Sequence, residues 1–236
     1  MNISVQDHVV LASLKEALTR PFAWGKSTEG NGHTVVIDYF QLNIAKEPHV
    51  GHLRSAVIGD SLKRILHALG YHVVSDTHVG DWGTQFGILL YAYKKAVQHN
   101  IAVQEKIKSN PFVELQALYI SANAEEDVRE KGKAEFAKLE QGDKENREIW
   151  QWMVDISMQK LNMSAARLKL LTFEEHRGES MYEDMMPPIV EMALAKGIAR
   201  KTEDNAVVVD LAHEGLDEAV LVKSDGATTY LLRDLA

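Results

Sequence analysis

A short apolar run, a long helical stripe and a second apolar run follow one another between residues 34 and 75, and that succession constrains the fold more than any other feature. Residues 34–40 read as a buried strand, with Val35-Val36-Ile37 running into Asp38, Tyr39 and Phe40. Leu53, Val57, Ile58, Leu62, Ile65, Leu66 and Leu69 then recur on one helical face, and Gly70 stops that helix just past its C-cap. Tyr71 to Ser75 is the next strand. Strand, helix and strand make a βαβ unit, so the strands are expected to lie parallel with a right-handed crossover. Asp76 to Gly87 (DTHVGDWGTQFG) then falls at the carboxyl edge of the sheet, where open α/β sheets bind ligands.

Before this unit, Val5, Val9, Leu11, Leu14 and Leu18 predict a helix over 4–20, with Ser4 as its cap and Pro21 beyond its end. Residues 24–33 form a linker holding Gly25, Gly30 and Gly32. Gly25-Lys26-Ser27 is not a P-loop, because position 20, where that motif needs glycine, is arginine. Ile88 to Leu171 reads as almost wholly helical, an insertion between sheet elements. Its charged stretch, Glu125 to Arg147, predicts a solvated hairpin turning near Gly142. Further strands are predicted at 171–175, 206–211 and 219–223. A helix begins at Met186 and stops at Gly197, and another starts at Tyr230.

The 236 residues suffice for one large domain, or a domain with an insertion. The absence of cysteine excludes disulfides and thiolate zinc sites. A net charge of -8 argues against a dedicated domain that holds nucleic acid by neutralising phosphates. With no signal peptide and no apolar run long enough to span a bilayer, no membrane association is expected and the cytoplasm is the expected compartment.

His49 and His52 flank Gly51 where the helix of the βαβ unit begins. Spacing leaves three roles open to them: metal ligands, helix caps, or donors to phosphate. The first is weak, because two histidines are too few and HExxH spacing is absent. Phosphate contact has a physical basis, since both imidazoles can donate and a helix N-terminus adds free N–H groups and a favourable dipole. Gly51 would let a nucleotide approach the backbone, and Lys46 brings a mobile cation to the same place. Near the other end, Tyr230 and Asp234 are four apart and share a helix face, and Glu179 lies in the turn Gly178-Glu179-Ser180. Taken alone these read as a core tyrosine, a capping aspartate and a surface turn.

NIAKEPHVGHLRSAVIGD (residues 43–60) together with HVGDWGTQFG (78–87) resembles the arginyl-tRNA synthetases, class I aminoacyl-tRNA synthetases whose HIGH signature HVGH matches. The resemblance continues through Gly178-Glu179-Ser180 to LVKSDGATTYLLRDLA (221–236), and so covers nearly all of residues 34–236. It implies an α/β fold: a class I synthetase Rossmann-like parallel sheet with a long helical insertion at about 97–170, truncated, in which residues 34–236 form a partial catalytic domain behind an N-terminal helix and linker at 1–33.

The resemblance also implies arginine activation by ATP with Mg2+, and transfer to tRNA-Arg, with no protein-bound metal. His49, Gly51, His52 and Lys46 would serve the ATP phosphates, His49, His52 and Lys46 as catalytic groups, Lys46 in place of the usual lysine of a later KMSKS loop. Asn43, Glu179, Tyr230 and Asp234 would hold arginine, whose guanidinium offers donors and needs acceptors. Trp82 would be structural at the pocket edge. Phe40-Gln41-Leu42 departs from the serine and proline often found before the asparagine. The family's KMSKS loop and main tRNA-binding domains are not in the sequence, so a monomer weak or inactive by itself is expected. A non-catalytic arginine- or ATP-binding fragment or paralogue, needing a partner chain, is the alternative.

Overall fold

The computed structural model describes residues 4–98 and 100–236. Helix α1, Asp7–Thr19, buries none of its side chains. Its N-cap is Gln6, without a side-chain capping bond, so Ser4 does not cap it. The linker that follows is strapped to the far end of the next helix, where Ser27 N–H donates to the Ala68 carbonyl at 2.7 Å and Gly30 N–H to that of Leu69 at 2.9 Å.

Strand β1, Thr34–Asp38, lies parallel to β2, His72–Asp76, with Thr34 opposite His72 and Asp38 opposite Asp76. Helix α2, Val50–Ala68, makes the crossover and ends before Gly70, whose φ of 87° is the left-handed conformation that glycine adopts freely. A buried cation ties α2 to the sheet. Lys63 Nζ donates to Ser75 Oγ at 2.9 Å, to the Thr172 carbonyl at 2.6 Å and to Glu174 at 2.7 Å. Burial pushes the Glu174 carboxyl up, but hydrogen bonds from Lys63 and Ser75 outweigh this and hold it down to about 2.

The same network explains why residues 171–175 are not the predicted strand. Leu171 N–H donates to Asp60 Oδ1 at 2.7 Å and the Thr172 carbonyl accepts from Lys63, so these backbone groups are taken by side chains instead of a ladder. Among the described residues an isolated bridge, Asp76 to Glu175, is what joins this segment to the sheet.

The insertion is helical: α3 Thr84–Val97, α4 Ile101–Ser109, α5 Pro111–Ala122, α6 Val128–Glu140 and α7 Lys144–Arg167. The hairpin does turn at Gly142, but it is not simply solvated. Val128, Phe136 and Leu139 of α6 are buried, and α6 packs on α3 at a glycine crossing. A Cβ at Gly87 would lie 1.8 Å from the Gly132 carbonyl oxygen, so the backbones meet where no side chain fits. The charge-rich sequence of α6 conceals this face. Lys94, between Glu135 at 3.0 Å and Glu145 at 3.1 Å, joins α3 to both arms of the hairpin.

A 3-10 turn at Glu179–Met185 leads into α8, Met186–Ala195. Then β3 Ala199–Lys201, β4 Val207–Val209 and β5 Ala219–Val222 form a separate antiparallel sheet in the order β3-β4-β5, and do not extend the parallel pair. Met186, Ala199, Val207, Leu221 and Leu232 make its core. Helix α9, Tyr230–Leu235, is capped by Thr229 Oγ1 and packs against the 3-10 turn. Among the described residues no helix is long and apolar enough to cross a membrane.

Candidate functional site

A cavity of about 370 Å³ opens where the loops after β1 and β2 meet the 3-10 turn and α9. Asn43, Lys46, Trp82, Glu179, Tyr230 and Arg233 line it. Each is placed by a local restraint. The loop after β1 is laced to the loop after β2, with Gly80 N–H donating to Leu42 at 3.0 Å and Ile44 N–H to Gly80 at 3.2 Å. Phe40 and Ala45 in this loop take φ of 60° and 56°, an uncommon conformation for residues with a Cβ. Buried Phe40 and Leu42 hold the turn down. The Phe40-Gln41-Leu42 departure thus anchors the loop apolarly. Asn43 emerges against Gly80, where an added Cβ would lie 2.3 Å from the asparagine Oδ1. Lys46 Nζ reaches Gln85 Oε1 at 3.3 Å.

Glu179 is set by a clamp that sequence reasoning missed. Asp81, itself buried, accepts from Ser180 N–H at 2.9 Å and from Ser180 Oγ at 2.6 Å, while Glu179 N–H donates to the Val79 carbonyl at 3.1 Å. Gly178 is obligatory, because a Cβ there would stand 2.3 Å from Asp81 Oδ2. Trp150 Nε1 donates to the Asp81 carbonyl at 2.8 Å and completes the clamp. The sequence signal for it was available: Asp81 stands between the glycines of the segment after β2.

Glu179 is only 8% exposed, and burial raises its carboxyl above the ordinary range while Arg233 and His78 pull it back. Arg233 Nη1 stands 3.6 Å from Glu179 Oε2. Arg233 was also missed, although it lies three residues after Tyr230 and so on the same side of the helix. Tyr230 lines the cavity with much of its surface open; its hydroxyl is pushed up first by the charge of Asp234 and then by burial. Asp234 is exposed and stands beside the cavity, not in its lining. Trp82 is buried edge-on to Phe136 and Trp150, with Arg147 over its ring at 5.3 Å.

His49, Gly51 and His52 are likewise outside the cavity lining, at the N-terminus of α2. His49 is the N-cap. Its Nδ1 accepts from Gly51 N–H at 3.1 Å, and His52 Nδ1 accepts from His49 N–H at 3.1 Å. A Cβ at Gly51 would come within 3.0 Å of the His49 ring, so the glycine makes room for the histidine itself. Since Nδ1 accepts in both rings, each neutral imidazole carries its hydrogen on Nε2 and can still donate outward. The pair therefore combines two of the roles left open by the sequence: it caps the helix and retains two donors. Among the described residues no group of three or more carboxylate and imidazole side chains is placed to hold a metal ion.

A family model described as tRNA synthetases class I (R), catalytic domain, matches residues 13–236. The arginine–tRNA ligase of Lactococcus lactis subsp. cremoris is 42% identical over 227 residues, covering 94% of this chain and 39% of the relative. That of Chloroflexus aggregans is 40% identical over 241 residues, covering all of this chain and 41% of the relative. The chain thus spans about two fifths of the length of these curated relatives. Among solved structures, arginyl-tRNA synthetase from Plasmodium falciparum superposes with a TM-score of 0.68 at 28% identity, covering 89% of this chain and 35% of that one. The Thermus thermophilus enzyme shares the fold at a TM-score of 0.66, covering 95% of this chain and 38% of that one.

Proposed function

Because the chain belongs to the class I tRNA synthetase (R) catalytic-domain family, we propose that its cavity receives arginine and that the N-terminus of α2 receives the phosphates of ATP. The single observation that carries the first half is Glu179, a carboxylate 8% exposed that faces a cavity also lined by Asn43 and Tyr230. A guanidinium brings five N–H donors and no acceptor, so a buried carboxylate and a phenolic oxygen are what it needs. Asn43 serves the α-amino end, Lys46 the phosphates, and Asp234 adds charge at the cavity rim.

In the activation step the carboxylate oxygen of arginine attacks the α-phosphorus of ATP, the bond to the bridging oxygen breaks, and pyrophosphate leaves with that electron pair. Magnesium enters with the triphosphate. The Nε2–H groups of His49 and His52 and the positive end of the α2 dipole serve the charge that develops, and no covalent enzyme intermediate is required. The terminal hydroxyl of tRNA-Arg then displaces AMP from the arginyl adenylate. On this reading residues 34–236 are part of the catalytic domain, with residues 1–33 as helix and linker, in a cytoplasmic monomer.

Arginine- and tRNA-dependent exchange between pyrophosphate and ATP tests the proposal. Exchange in the chain carrying these residues, abolished by removing arginine but not by removing lysine, is the expected result. Binding of arginine or ATP with no exchange, even with tRNA-Arg present, would leave a binding module and overturn the catalytic half.

A further inference from the structure

Arg233 and Glu179 face one another inside the cavity wall with side chains 12% and 10% exposed, yet they make no hydrogen bond. At 3.6 Å the contact is well outside the roughly 2.7–2.9 Å of a charge-assisted hydrogen bond. Among the described residues neither Glu179 oxygen accepts a hydrogen bond from any side chain, and buried Arg233 Nε has no acceptor. Such a pair is unusual, since buried ions normally satisfy each other's hydrogen-bonding positions. Here the cation supplies charge and leaves the lone pairs of the anion free.

We propose that Arg233 is a positioning residue for the arginine site: it keeps Glu179 ionised and turned toward the cavity while leaving its oxygens open for the N–H groups of the incoming guanidinium. This rests on the arginine reading of the cavity. Without a cation, burial and the neighbouring carboxylates Asp81 and Asp234 would favour the protonated form of Glu179, and a protonated carboxyl is a poor partner for a guanidinium. His78 is the other basic side chain facing Glu179, from the loop after β2, and Tyr230 faces it from α9. Because Arg233 stays charged at every accessible pH, it holds the carboxylate in its receptive state throughout.

Two measurements on the full chain separate this role from mere packing. Carbon-13 NMR titration of the Glu179 carboxyl in the ligand-free protein should show its pKa rising by at least one unit in Arg233→Met and returning most of the way in Arg233→Lys. An unchanged titration in Arg233→Met would overturn the proposal whether or not arginine binds. Calorimetry with arginine should then show Arg233→Met binding at least tenfold more weakly at pH 6, with the deficit narrowing as pH rises, and Arg233→Lys close to wild type. Tighter or equal binding in Arg233→Met at pH 6 would overturn it, since Arg233 would then be a competitor or a bystander. Absence of arginine binding by the unsubstituted chain would instead sink the arginine reading itself.

Discussion

His52 Nδ1 accepts the backbone N–H of His49 while His49 Nδ1 accepts that of Gly51, and the two rings lie 3.9 Å apart. The side chains thereby fix each other's tautomer at the start of α2. Protonating His52 would place a hydrogen on Nδ1 and end its acceptance from His49. Burial, and then the charge of His49, hold the His52 imidazole below its ordinary 6.5.

For a base whose folded pKa is depressed, the unfolded chain takes up protons first. The contribution of His52 to stability is therefore complete above 6.5 and is lost as pH falls through the lower folded value. His52→Ala should remove that dependence and cost about 1 kcal/mol in urea unfolding at pH 7.5. In pyrophosphate exchange the same variant should lose roughly 10²–10³ in rate, the usual effect of deleting one well-placed donor. Equal exchange rates in the two proteins would leave the pair as a cap alone.

The α3–α6 crossing should be the most sterically sensitive point of the insertion. Gly132→Ala would set a Cβ 2.5 Å from Ile88 Cγ1 and 2.9 Å from the Ile88 backbone nitrogen. Its cost is expected to be about 1–3 kcal/mol in denaturant unfolding, larger than any gain in helix propensity. Gly142→Ala, which meets nothing within 4 Å, is the control: it should lose only about 1 kcal/mol, from its φ of 81°.

How far the sequence reveals such contacts depends on what makes them. The change from period two to period 3.6 and back marks where β1, α2 and β2 lie but not which face is covered. Val36 of the expected buried strand and Leu53, Val57, Ile58, Leu62 and Ile65 of the apolar stripe are exposed, while Ala56, Gly59, Asp60 and Lys63 are the buried positions of α2. The α3–α6 contact sets apolar Ile88 and Leu90 of α3 against Val128, Phe136 and Leu139 of α6 across a glycine crossing, and on the α6 side those few apolar residues are masked by the surrounding charges. Strand β3, three residues reading Ala-Arg-Lys, exists only because β4 pairs with it. Within the site, Asn43, Lys46, Glu179 and Tyr230 are legible from motif order and share one cavity. The histidines lie apart from it; Asp81 among its glycines and Arg233 one turn after Tyr230 stand at local signals, but their partners Ser180 and Glu179 are distant in sequence, so the roles themselves are not displayed.

Lys63, with its hydrogen bonds to Ser75, Thr172 and Glu174, should govern stability at low pH. Glu174, depressed to about 2 from 4.5, contributes fully above 4.5 and loses its contribution as pH falls toward 2. Lys63→Met is expected to lower stability at pH 7 by roughly 2–3 kcal/mol, less than a fully buried pair because Glu174 reaches solvent. The acid-dependent loss between pH 4.5 and 2 should shrink in the variant. Parallel stability curves for the two proteins would mean that Lys63 does not set the Glu174 carboxyl.

Asp81→Ala should release Ser180 and, with it, the backbone that carries Glu179. Weaker arginine binding by about tenfold or more is expected, together with a loss of stability from the broken buried bonds of roughly 1–3 kcal/mol. Ser180→Ala removes only the shorter of the two bonds and should retain most of the affinity. If both variants bind arginine as the unsubstituted chain does, the clamp supports the fold but not the site.

Calorimetric titration with arginine and with lysine, in the unsubstituted chain and in Glu179→Gln, addresses the cavity most directly. Arginine should bind at least tenfold more tightly than lysine, because a planar fork meets Glu179 and Tyr230 where a point charge cannot. Glu179→Gln should weaken arginine by roughly 10–100-fold, the range of a charged hydrogen bond lost in a buried site. Equal affinities for the two amino acids, unaltered in Glu179→Gln, would show that this cavity is not where arginine is recognised.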